Sequence, residues 1–230
     1  MSSNIIGLIP ARSGSKGVAD KNLSALRGRS LICHAAEYVK EAEWIGATYI
    51  STDSNKYSEH AKSYGIGSLG LRDESLAGDS VKSVDVLLDF VSKYESEYGG
   101  APDWICLLQP TSPIRPHFSR GEIVSLVAGD DDAFIAVSKV VEPHPYKLKK
   151  VGADGCIEAF IPGGSSETPR QELPAAYSLT GALYLVRVST LLKERTLLPK
   201  RSRPLFQSTF CNIDTQEDLE FAEWIMRKRA

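Results

Sequence analysis

Apolar residues fall into two alternating rhythms along this chain. Residues 5–9 form a short run, interrupted only by Gly7, with the length of a buried strand. At Leu31, Ile32, Ala35, Ala36 and Val39 the spacing lengthens to that of a helix with one buried face. Residues 49–52 predict the next strand, and a more polar helix follows from about Ser54. Val81, Val84, Leu87, Leu88 and Val91 predict another helix. Residues 104–108 are rich in β-branched and aromatic side chains and end before Pro110, which makes them the strongest strand candidate. A helix near 121–127 and a strand over 133–137 continue the series. Such alternation predicts an α/β fold, a largely parallel sheet covered by helices on both faces.

The rhythm breaks after Lys139. From there to about Tyr177 the chain is rich in Pro, Gly and charge, with only short strand candidates. Residues 139–177 therefore read as an arm inserted in a core made of 1–138 and 178–230. Residues 181–186 predict a strand that returns to the sheet. The chain closes with an amphipathic helix from Thr215 to about Lys228, with Thr215 as its N-cap and Asp218 placed for a capping box.

Composition narrows the function classes. The 230 residues are 42% hydrophobic and 24% charged, ordinary values for a globular protein. Lys and Arg total 27 against 29 Asp and Glu, so the net charge is −2 and no basic footprint for nucleic acid or an anionic membrane emerges. No apolar run reaches membrane-spanning length. The first apolar stretch is too short for a signal-peptide core, and no basic segment precedes it. Cys33, Cys106, Cys156 and Cys211 are scattered without a CxxC pair and read as buried, reduced thiols of a cytoplasmic protein. His34, His60, His117 and His144 show no metal-ligand spacing.

The richest chemistry lies just after the first strand, in Pro10-Ala11-Arg12-Ser13-Gly14-Ser15-Lys16-Gly17 and then Asp20-Lys21-Asn22. Glycines allow close backbone approach, serines offer hydroxyls, and Arg12, Lys16 and Lys21 supply three cations. A loop leaving the carboxyl end of a strand is where open α/β sheets bind ligands, and this composition suits a polyphosphate. The GxxxxGK[ST] string is absent, and so is GxGxxG, since only Gly14-x-x-Gly17 occurs. The second absence weakens an alternative reading, a nicotinamide-dependent oxidoreductase in which Asp53 grips a ribose. A third reading is a nucleotide-sensing domain without catalysis.

The loop resembles the signature of the acylneuraminate cytidylyltransferases, the CMP-sialic acid synthetases. The resemblance continues through Ser51-Thr52-Asp53, Gln109-Pro110-Thr111-Ser112-Pro113-x-Arg115, Pro169-Arg170-Gln171-Glu172-Leu173-Pro174, Gly181-Ala182 and Ile213-Asp214-Thr215. These blocks span nearly the whole chain in the family's order. Related Kdo cytidylyltransferases share Pro-Ala-Arg, but their following residues differ.

The resemblance implies a three-layer nucleotide-binding domain with a mixed, mostly parallel sheet and a small dimerisation arm. It implies attack by the anomeric hydroxyl of an acidic nine-carbon sugar on the α-phosphate of CTP, with pyrophosphate leaving and magnesium as cofactor. Carried over by position, Arg12, Ser15, Lys21 and Asn22 would hold the triphosphate, with Arg12, Lys21 and Asp214 as the catalytic set. Arg72 and Ser83 would help hold the nucleotide, and Gln109 would hydrogen-bond the sugar. Asp214 would be the principal magnesium ligand. Lys147 and Arg170 would reach from the arm into the neighbouring subunit's site of a homodimer and meet the sugar carboxylate or the phosphates. Two departures stand out. The family's Asp-Ile-Asp is Asn212-Ile213-Asp214 here, so Asn212 would offer the metal an uncharged oxygen. Thr180 precedes Gly181 where the family commonly has Asn, at a position the resemblance aims at the sugar, which opens the substrate to legionaminic-type relatives of sialic acid.

Overall fold

The computed structural model describes residues 3–15, 17–164 and 167–229. Among these residues the elements run β1 (Ile5–Pro10), β2 (Ala25–Leu26), β3 (Arg29–Ser30), α1 (Leu31–Glu41), β4 (Thr48–Ser51), α2 (Asn55–Lys62) and β5 (Gly67–Ser68). Then come α3 (Ser83–Tyr98), β6 (Trp104–Leu107), α4 (Arg120–Val127), β7 (Ala133–Lys139), β8 (Lys149–Val151) and β9 (Ile157–Ala159). The chain ends with β10 (Tyr177–Arg187), α5 (Val188–Glu194), β11 (Ser202–Phe206) and α6 (Gln216–Arg229).

Seven strands form the main sheet in the order β11-β7-β10-β6-β1-β4-β5. All neighbours pair parallel except those of β10, which runs antiparallel to both β6 and β7. The sheet is therefore mixed and mostly parallel. β1 and β6 lie side by side in its middle, and every residue of β6 is buried. Burial on both faces accounts for their near-continuous apolar runs. Full burial of side chains such as Trp104, Ile105 and Leu107 stabilises the fold by about 1.5–3 kcal/mol each.

Helices cover both faces. One core contains Ile32, Ala35 and Ala36 of α1, Tyr57 and Ala61 of α2, and Ile123 and Val127 of α4. The opposite core contains Leu87, Phe90 and Val91 of α3 and Leu191 of α5. Local signals fix the helix starts. Ser30 Oγ accepts from Cys33 N (3.0 Å) at the start of α1, and Ser119 with Glu122 forms a capping box on α4. The expected Thr215–Asp218 pair also forms, with Asp218 N donating to Thr215 Oγ1 (3.2 Å) and Thr215 N to Asp218 Oδ2 (2.9 Å). Helix α6 then closes a third, smaller core with Leu26, Leu31, Ile114 and Ile213.

Several features depart from the sequence reading, among them the short strands β2, β3 and β5 and helix α5, which local patterns do not predict. The returning strand starts at Tyr177, earlier than residue 181, and pairs with β7 through a register shift between Leu179 and Tyr184. The shift is a bulge, and Gly181 sits in it at φ +73°. Strand β11 was not anticipated, because its Ser-Arg-Pro-Leu-Phe sequence carries only one buried residue. Its place at the sheet edge tolerates Pro204. Cys156 is exposed, whereas the other three cysteines are buried as expected. Between β7 and β10 the chain leaves the sheet, and strands β8 and β9 form a separate antiparallel hairpin there.

Candidate active site

The central strands end at a cleft. β1 stops at Pro10 and β6 at Leu107, and the loops leaving their carboxyl ends line a cavity of about 490 Å³. Arg12, Ser15, Lys21 and Asn22 come from the loop after β1. Gln109 comes from the segment after β6, Arg72 from the loop before α3, Ser83 from the first turn of α3, and Asp214 from the approach to α6. The fold thus gathers eight of the residues singled out in the sequence. Lys147 and Arg170 stand outside this cavity, in the segment between β7 and β10, with Arg170 exposed. Lys16, the third cation of the loop, lies outside the described residues.

Several bonds hold the first loop open. Asp53, just beyond β4, accepts Ser13 N (2.7 Å) on one oxygen and Ser13 Oγ (2.5 Å) on the other. Burial pushes the Asp53 carboxyl up. The Ser13 bonds, its own amide and the Arg72 charge outweigh burial, so it titrates below the ordinary carboxylate value. Asn22, expected to hold the triphosphate, is buried, and its amide also braces the loop by donating to the Arg12 carbonyl (3.0 Å). These contacts redirect Asp53. Both of its oxygens accept from Ser13, so Asp53 braces the loop, and these contacts give the oxidoreductase alternative no support.

The cations have distinct surroundings. Lys21 Nζ meets Asp214 Oδ1 at 2.8 Å, with the lysine side chain 13% exposed and the aspartate 65%. Arg12 Nη2 pairs with Asp79 Oδ1 across the mouth of the cavity. No sequence signal marks Asp79, an acid set against a cation of the cavity. Arg72 is buried, not a surface cation. Its Nε donates to Ser51 Oγ (3.1 Å) and its Nη2 to the Ser51 carbonyl. Burial pulls its guanidinium down, opposed by the charges of Asp53 and Asp89. Ser83 opens α3, whose N-cap Lys82 makes no side-chain capping bond, so the positive end of that helix borders the cavity at Ser83.

Asp214 is held from three directions. Its second oxygen accepts Asn212 Nδ2 at 2.7 Å, so Asn212 presents an amide N–H to the carboxylate. Its backbone N donates to Asp218 Oδ2 (3.0 Å), and this bond with that from Thr215 N keeps the Asp218 carboxyl below its ordinary value. At Gly17 the loop passes so near that a Cβ would collide with the Asp214 carbonyl oxygen. Among the described residues, no cluster of three or more His, Cys, Asp or Glu forms a protein-only metal cage. A single carboxylate in a cavity whose cations suit a polyphosphate fits magnesium, which is commonly held by one or two carboxylates, phosphate oxygens and water.

The far wall carries Gln109. A Cβ at Gly181 would lie 2.6 Å from Gln109 Oε1 and 2.7 Å from Ser112 Oγ, so the glutamine side chain rests on the bulge of β10. Thr180 does not face the cavity. It is buried and donates from Oγ1 to the Ala136 carbonyl (3.2 Å), because the bulge turns its side chain into the sheet.

Residues 6–119 match the family model described as Cytidylyltransferase. Over that stretch the chain is similar to the cytidylyltransferases. It is 30% identical over 217 residues to an N-acylneuraminate cytidylyltransferase of Streptococcus agalactiae serotype V, covering 93% of this chain and 51% of that protein. The chain thus spans about half the length of that relative. It is 26% identical over 225 residues to a CMP-N,N'-diacetyllegionaminic acid synthase of Legionella pneumophila, covering 96% of each. A solved structure of CMP:2-keto-3-deoxy-manno-octonic acid synthetase complexed with CTP aligns with a TM-score of 0.70 at 17% identity, over 99% of this chain and 100% of the other. That likeness concerns the fold alone, and it agrees with a mixed, mostly parallel sheet covered by helices.

Proposed function

We propose that this protein transfers CMP from CTP to the anomeric hydroxyl of an acidic nine-carbon sugar, releasing pyrophosphate. The observation that carries the reading is the meeting of Arg12, Lys21 and Asp214 in one cavity beside Gln109, at the carboxyl ends of β1 and β6. Cations suited to phosphates and an amide suited to a sugar thus line one cavity. The N-acylneuraminate and legionaminic names of the relatives support an acidic nine-carbon acceptor.

In this mechanism the triphosphate enters along the loop 10–22. Arg12 exchanges Asp79 for phosphate oxygens, and Lys21, already largely buried beside Asp214, adds a second positive charge. Ser15, Asn22 and Ser83 supply further hydrogen bonds, while buried Arg72 keeps the floor of the nucleotide site in shape through Ser51. Magnesium, held by Asp214, would neutralise charge on the departing pyrophosphate. Asn212 orients Asp214 by donating to it, and as a neutral neighbour leaves it the one charged ligand of that pair. The sugar rests against Gln109 with its hydroxyl directed at the α-phosphate. A bond forms from the sugar oxygen to the α-phosphorus, and the bond from that phosphorus to the bridging oxygen breaks. Positioning and charge stabilisation do most of the work in such transfers.

The arm, taken as residues 139–177, is proposed to build a homodimer and bring Lys147 and Arg170 to the partner's sugar. Its exposed Val151, Ile157 and Phe160, and the exposed ring pair Tyr177–Phe206 beside it, support an apolar contact surface. A cytoplasmic location follows from the need for CTP and is supported by four free cysteines. No helix among the described residues is long and apolar enough to cross a membrane. The test is incubation with magnesium, CTP and a panel of nine-carbon keto acids, with products read by mass spectrometry. A CMP ester of at least one acid is expected; no ester from any of them defeats the proposal.

A further inference from the structure

Arg115 is an anomaly of this core. It is 6% exposed, and among the described residues it makes no ion pair with a carboxylate. A buried charge without a counter-ion is costly, and a sequence that keeps one is using its geometry. Burial pulls its guanidinium down to about 10, which leaves it charged at neutral pH.

Its donors are shared among backbone carbonyls. Nη2 donates to Gln109 O (2.6 Å), Nε to Ala182 O (3.2 Å) and Nη1 to Pro113 O (3.5 Å). The guanidinium also lies 5.8 Å from the centre of the Tyr38 ring. Two of these carbonyls flank one feature of the cavity. Gln109 supplies the polar side chain of the far wall, and Ala182 follows Gly181, the bulge residue on which that side chain rests. One planar fork therefore ties the two backbones that meet behind Gln109, a task for which the point charge of a lysine is poorly shaped.

We propose that Arg115 is a positioning residue for the sugar-facing wall, holding Gln109 in register with the β10 bulge so that affinity for the acidic sugar depends on it while affinity for CTP does not. This rests on the cytidylyl transfer proposed above. Arg115 touches neither substrate in this account and acts through Gln109.

The experiment compares wild type with Arg115→Lys and Gly181→Ala. Michaelis constants for sugar and for CTP are measured separately, together with CTP–magnesium binding by calorimetry without sugar. Arg115→Lys is expected to raise the sugar KM roughly tenfold or more, the scale of a slightly misplaced binding group, and to leave CTP binding within about twofold of wild type. Gly181→Ala crowds Gln109 from the other side and should show the same split. If Arg115→Lys folds and both constants stay unchanged, or rise together, the proposal is overturned. If it does not fold, Gly181→Ala decides, and an unchanged sugar KM there overturns the proposal. A wild type that binds CTP yet makes no CMP-sugar refutes the underlying function instead, and the inference falls with it.

Discussion

Lys21 Nζ and Asp214 Oδ1 stand 2.8 Å apart although 193 positions separate them in the chain. The loop after the first strand and the entry to the last helix therefore build one site. The pair also sets the ligand-free charge balance, because the carboxylate that would hold magnesium is already occupied by the lysine that would meet phosphate.

Asp214 is expected to be essential and Asn212 to tune it. Asp214→Asn removes the charged ligand and should lower the rate by about two orders of magnitude or more, the scale of one transition-state charge interaction. Asn212→Asp replaces a hydrogen-bond donor with a second carboxylate and should lower the magnesium concentration needed for half-maximal rate. A magnesium titration of initial rate at fixed CTP checks both. Near-normal activity of Asp214→Asn at every magnesium level would make Asp214 only a helix-entry residue.

Asp79 should compete with the nucleotide. It pairs with Arg12 at the cavity mouth. Asp79→Asn removes that negative charge and is expected to tighten CTP binding by roughly three- to tenfold, as for loss of a partly exposed ion pair of about 1 kcal/mol. Calorimetry with CTP and magnesium reads the change, and weaker binding would count against the exchange of Asp79 for phosphate.

Asp53 should carry an acid-sensitive share of stability. Its folded carboxyl titrates below the ordinary value of 3.8. The unfolded state therefore takes up its proton first as pH falls, and the contribution is full above 3.8 and lost through the depressed folded value. Asp53→Asn removes the charge that accepts both Ser13 bonds and should lower Tm by about 2–4 °C at neutral pH, corresponding to roughly 1 kcal/mol. Melting curves from pH 7 downward should show the two proteins converging in acid. A gap that stays constant there would contradict the assignment.

The proposed sharing of active sites between two subunits predicts complementation. Arg170→Ala and Lys21→Ala chains, each inactive alone, should recover part of the activity when mixed, because one site of the mixed dimer keeps both cations. Absence of recovery in verified heterodimers would argue that each subunit works alone.

Much of this architecture was legible because its determinants are local. The apolar run 104–108, the helical spacing after Leu31 and the Thr215–Asp218 cap each need only a few neighbouring residues. The resemblance likewise pointed to eight residues that the fold brings to one cavity. Other features depend on partners distant in sequence. Strand β11 pairs with β7 despite its proline and arginine, which local propensity argues against. The burial of Arg115 and Arg72 could not be read from their charge. Thr180 was aimed at the sugar by analogy, and only the bulge in β10 reveals that it turns inward. Asp79 opposes Arg12 across 67 positions, with no local pattern to announce it.

The central claim, cytidylyl transfer, is tested most directly by following the phosphates of CTP. The enzyme is incubated with magnesium, an accepted nine-carbon acid and CTP labelled with phosphorus-32 on either the α or the γ position. The account predicts α-label in the sugar product and γ-label in pyrophosphate, in equal molar amounts, with both lost in Lys21→Ala. Label reaching the sugar from the γ position, or release of γ-label as orthophosphate without any α-labelled sugar, would contradict it.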